Sequence, residues 1–140
     1  LEHEVGMPIA AAAAVLFFVS YSLFALKIIF PIHFSGILAM FFLLFTLTNY
    51  LNLSLWDFKQ LSYRRIFVAI TPIFLELFTI LEFAPIPAAA RGAIIGLAYY
   101  LFSGLLYLGS LPVLDRKLLK TYVAVALAGA SLILIAAQWR

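Results

Sequence analysis

Long apolar runs dominate the chain, each close to the length that a helix needs to cross a bilayer. Residues 8–26, 31–53, 66–83, 88–111 and 118–137 are poor in charge and separated by short polar or proline-containing breaks. A hydrocarbon core about 30 Å thick takes about 20 mainly apolar helical residues to cross. A membrane β-barrel is rejected, because its strands alternate apolar and polar residues over segments of about ten positions. The runs predict an all-α, polytopic integral membrane protein: a single domain over residues 1–140 with about five transmembrane helices in a compact bundle.

Composition points to the same solvent. The chain is 66% hydrophobic and 11% charged, against about 45–50% and about 25% in ordinary soluble domains. A water-soluble globule of 140 residues leaves too much of its area exposed to hide that apolar surface. The net charge of +3 is spread too thinly for a nucleic-acid footprint, which needs clustered basic residues on one face. It suits loops lying against anionic lipid headgroups. With no cysteine, disulfides and thiolate chemistry are excluded. The alanine-rich first run has the look of a secretory signal. It is long for one and lacks a basic leading region, so a retained span is expected.

The breaks carry the topology. In "LKIIFPIHF", Pro31 lacks an amide proton and disfavours helix at Phe30, which predicts a tight hairpin with Lys27 and His33 at the headgroups. "APIP" stops the third run and Pro112 the fourth. In "NLSLWDFKQLSYRR", Ser54 and Asp57 have the spacing of a capping box, and Trp56 and Tyr63 suit the interface. A short interfacial helix is expected there, with an irregular loop as the alternative. Lys59, Arg64, Arg65, Arg116, Lys117 and Lys120 fall on one side of a five-span topology, and Lys27, Arg91 and Arg140 on the other. The positive-inside rule then places the amino terminus in the cytoplasm and the carboxyl terminus outside, in a plasma or bacterial inner membrane.

Lipid tails are as apolar as leucine, so helices in a membrane associate through small residues and hydrogen bonds. Gly92 and Gly96 lie four apart, and Tyr100, Ser103, Tyr107 and Ser110 continue roughly the same stripe. Ala124, Ala128 and Ser131 have matching spacing on the fifth run. The fourth and fifth helices are expected to pack through these surfaces.

Glu76 interrupts the third run. An acid at a helix centre costs on the order of 3 kcal/mol on insertion scales and normally faces the bundle interior. Pro72 and Thr79 lie on roughly the same stripe. Depth counting nominates Thr46, Ser103, Tyr100 and Tyr107 as partners, and no cation of the chain falls at that level. Glu76 is therefore expected to face inward and meet hydroxyls. Glu82 is expected at the headgroups or paired with Arg91.

Enzymatic chemistry finds little footing. His3 and His33 are far apart, and no H-E-x-x-H, G-x-S-x-G or phosphate-loop pattern occurs. No catalytic, metal or cofactor residue is nominated. The first functional reading is a non-enzymatic subunit or assembly partner of a membrane complex, with copies of itself or with other subunits. The second is a small proton- or solute-coupled transporter centred on Glu76, Thr46, Ser103 and Tyr107. The third is a lipid-headgroup binding or modifying module using Arg64, Arg65, Arg116, Lys117 and Lys120.

Overall fold

A computed structural model describes residues 2–55, 61–110 and 116–136. These residues form five helices and no strand: α1 (Glu2–Ile29), α2 (Phe34–Leu55), α3 (Leu61–Glu82), α4 (Ala88–Ser110) and α5 (Arg116–Ala136). The protein is an all-α bundle. Four stretches are long and apolar enough to cross a membrane: Ile9–Ile29, Phe34–Asn52, Ala88–Leu106 and Arg116–Ala136. The 22 residues of α3 would span about 33 Å at 1.5 Å each. Any eighteen-residue stretch of α3, however, carries three of Arg64, Arg65, Glu76 and Glu82. One aromatic face, not overall apolarity, holds α3 in the bundle.

Prolines set the turns. The Phe30 amide still bonds the Leu26 carbonyl at 2.8 Å, after which Pro31 has no proton to give. The ladder restarts where the His33 carbonyl accepts from Gly36 (3.0 Å) and Ile37 (3.3 Å). At its far end α3 tightens, with Phe83 bonding Ile80 and Ala84 bonding Leu81, both at 3.2 Å. α4 begins where the Pro87 carbonyl accepts the Arg91 amide at 3.1 Å.

In order around the bundle, α1, α2, α3 and α4 form a closed ring, α1 and α4 being the most closely packed pair, and α5 leans on α4 from outside. An aromatic ladder fills the ring. Phe24 and Phe41 stack on Phe78 at 4.5 and 4.3 Å, and Phe45 stacks on Phe74 at 4.9 Å. Tyr99 meets the edges of Phe45 and Phe74 at 5.8 and 5.9 Å. Among the α3 side chains described, Ile70, Phe74, Phe78 and Leu81 are buried, one stripe at helical spacing.

The glycine face of α4 packs differently from the expectation. A Cβ on Gly96 would lie 2.9 Å from the Ala13 carbonyl oxygen, and one on Gly92 would lie 3.0 Å from the Phe17 carbonyl oxygen. These glycines therefore admit the backbone of α1, not α5. Ala124 and Ala128 are exposed. The α4–α5 contact runs through another face of α4, where Gly104 meets the ring of Tyr122 and Gly129 meets Leu97.

Candidate functional site

Three polar assemblies are set into this apolar frame. The first lies inside. Asn49 and Asn52, three apart on α2, share a face, and both are buried with Tyr99 of α4. Asn52 Nδ2 donates to Tyr99 Oη at 2.8 Å, and Tyr99 Oη donates to Asn49 Oδ1 at 3.0 Å. One phenol thus serves as acceptor and donor between two helices. Ser103 is buried one turn along α4. Asn52 Oδ1 has no hydrogen-bond partner among the described residues, which leaves capacity beside Tyr99 for a further donor.

The second assembly ties the opposite end. Lys27, in the last turn of α1, reaches Glu82 Oε1 at 2.5 Å, and Arg91 Nη1 lies 4.0 Å from Glu82 Oε2. Arg91 Nη2 also donates to the Ala84 carbonyl at 2.8 Å. Both cations cover aromatic faces, Lys27 over Phe34 at 5.0 Å and Arg91 over Phe24 at 5.4 Å. Glu82 therefore pairs with Arg91, as expected, and also with Lys27, which joins α1, α3 and α4.

The third assembly faces outward and corrects the sequence expectation. Glu76 is exposed on α3, not inside the bundle. At about 100° per residue it points roughly 200° away from Phe74, on the side opposite the buried stripe. The aromatic stripe decides the rotation of α3, because four large apolar side chains outweigh one carboxyl. Beside Glu76, a groove of about 380 Å³ between α2 and α3 is lined by Phe42, Thr46, Asn49, Tyr50, Val68, Thr71, Pro72 and Leu75. Pro72 has no amide proton for the Val68 carbonyl.

The expected polar site is consequently dispersed. Thr46 is exposed in the α2–α3 groove. Thr79 Oγ1 donates to the Leu75 carbonyl of its own helix at 2.9 Å. Ser103 is interior, and Tyr100 packs on Tyr122 of α5 with ring centroids 5.2 Å apart. The side chain of Tyr107 lies outside the described set. So does that of Arg64, and so do residues 56–60 of the expected interfacial segment, Lys59 among them; positions 52–55 belong to α2 and 61–65 to α3. Arg65, Arg116, Lys117 and Lys120 are exposed, each at the start of its helix. Asn49, Asn52 and Tyr99 were not singled out by the sequence reading. Their signal was the pair of amides one turn apart in an apolar helix. Among the described residues no three His, Asp or Glu side chains come together as metal ligands.

Chemically, the interior holds a hydrogen-bonded tie, one end holds an ion cluster, and the outer face of α3 holds an acid without enclosure. None places a nucleophile against a base. Comparisons with protein-family models, with curated proteins and with solved structures return no match.

Proposed function

We propose that the chain is a non-enzymatic subunit of a larger membrane assembly, docked along the outer face of α3. The outward position of Glu76 carries this reading. A carboxyl at that depth facing acyl chains costs on the order of 3 kcal/mol, and a neighbouring helix that supplies hydrogen-bond donors relieves the cost. Exposed Val68 (65%), Ile73 (50%) and Ile80 (66%) surround it with apolar contact area. The basic residues of the 59–65 and 116–120 segments support a cytoplasmic amino terminus in a plasma or bacterial inner membrane.

The test is extraction of the tagged chain from its own membrane into lipid nanodiscs, followed by native mass spectrometry. The expected species contains this 15.6 kDa chain with further subunits or copies. Particles that hold one copy and lipid only would defeat the reading. A transport reading draws support from the spare capacity beside Tyr99, and it runs through Asn49, Asn52 and Ser103 instead of Glu76. Reconstituted uptake of a polar solute that is lost in a folded Tyr99→Phe protein would favour it.

A further inference from the structure

We infer that the subunit docked on α3 is a different protein, whose transmembrane helix lies in the α2–α3 groove and presents a lysine or arginine to Glu76. This identifies the partner's chemistry and rests on the assembly reading above. Three observations converge. Glu76 is exposed on α3, next in sequence to Leu75 and one turn from Pro72, both of which line the groove. It lies six residues from Glu82 and eleven from Arg65, or about 9 Å and about 16 Å along the helix, well away from either polar end. The lining itself is mostly apolar, with Thr46, Asn49, Tyr50 and Thr71 interspersed, and suits the side of a membrane helix more than a hydrated solute.

Charge decides between a second copy and another protein. All nine basic residues of the chain, Lys27, Lys59, Arg64, Arg65, Arg91, Arg116, Lys117, Lys120 and Arg140, fall near or beyond helix ends. A second copy therefore brings no cation to the level of Glu76. In a two-fold pair formed on this face it would bring another carboxyl. Ionisable side chains within a membrane pair with one another or with backbone carbonyls. Among the described residues, the polar side chains nearest that level in sequence and in the groove carry hydroxyls and amides, not a cation. A cation from outside completes the set, its head binding Glu76.

The experiment places a photo-crosslinking amino acid at Ile73 in the full-length chain, in its native membrane, and identifies the adduct by mass spectrometry. The expected adduct joins a membrane helix of another protein that carries a lysine or arginine within about one turn of the crosslinked position. Adduct yield should fall about tenfold in Glu76→Lys and several-fold in Glu76→Gln, tenfold corresponding to about 1.4 kcal/mol. Exchanging the charges, with Glu76→Lys here and the partner's basic residue replaced by glutamate, should restore it. Thr46→Trp, which fills the groove on α2, should also lower the yield. Neither Glu76 nor Thr46 is buried, so these variants should keep the helicity of the parent.

An adduct to a helix with no basic residue at that depth, or a yield unmoved by Glu76→Gln, overturns the charge pairing and leaves the assembly standing. An adduct confined to a second copy of this chain does the same. Crosslinks to lipid alone overturn both.

Discussion

Replacing Gly96 by alanine measures the α1–α4 seam directly. The new Cβ would lie 2.9 Å from the Ala13 carbonyl oxygen and 3.1 Å from Phe17 Cβ. Ordinary contact begins at 3.4 Å, so the obstruction is about 0.5 Å deep. Its nearest atom belongs to the backbone of α1, so no side chain can swing away and the whole helix has to move. Overpacking of this kind costs about 1–3 kcal/mol. Gly36→Ala is the control, because its Cβ would find only Ile32 Cγ2, at 3.7 Å. Both substitutions gain the helix preference of alanine over glycine, up to about 1 kcal/mol. That gain cancels in the comparison, and the difference between the two variants isolates the clash. Equilibrium unfolding by SDS titration in mixed micelles, followed by far-ultraviolet circular dichroism, should find Gly96→Ala less stable than Gly36→Ala by about 1–3 kcal/mol. Gly92→Ala should behave like Gly96→Ala. The double variant should cost less than the two added, since one displacement of α1 relieves both contacts. If Gly96→Ala and Gly36→Ala unfold together, the close backbone approach is wrong, and with it the order of helices around the ring.

Tyr99→Phe removes the hydroxyl that bridges Asn49 and Asn52 and should destabilise the bundle by about 1–2 kcal/mol in the same titration. Glu82→Gln leaves Lys27 and Arg91 without their counter-charge. A loss of about 1–3 kcal/mol is expected, below the fully buried case because the side chain of Lys27 is 29% exposed. Gly129→Ala meets first the methyl groups of Leu97, the far end of a side chain that can turn aside, and should fall within about 0.5 kcal/mol of the parent. Pro72→Ala restores an amide for the Val68 carbonyl at an exposed position, so stability should rise, by up to about 3 kcal/mol.

The sequence made some of this legible and concealed the rest for physical reasons. Apolar run length was sufficient for five helices and an all-α class, because hydropathy reports the solvent of each segment directly. It did not separate α3 from the others. That distinction lies in four charged residues, two of them at one end. The rotation of α3 was also legible, in the spacing of Ile70, Phe74, Phe78 and Leu81. The expectation erred by giving one carboxyl more weight than that stripe. Gly92 and Gly96 announced a close contact, yet periodicity on one helix does not name its neighbour. Ala13, Phe17 and Tyr21 of α1 proved to be the complementary surface. The tie at Tyr99 was harder to see, because its donors and acceptors come from positions 47 and 50 residues away.

The single-sided attachment of α5 has a consequence for how the molecule tolerates loss. Ile94, Leu97, Ala98 and Leu101 of α4 face Ala126, Leu127 and Ala130 of α5 across a hydrocarbon-lined cleft of about 440 Å³. Stripping α5 away would bare methyl groups, a glycine and the ring of Tyr100, mostly surfaces that acyl chains wet as readily as another helix does. The phenylalanine stack, the tyrosine bridge and the lysine–glutamate–arginine knot would all keep their neighbours. The fifth rod is thus the one that bilayer lipid can replace without breaking any of these three supports.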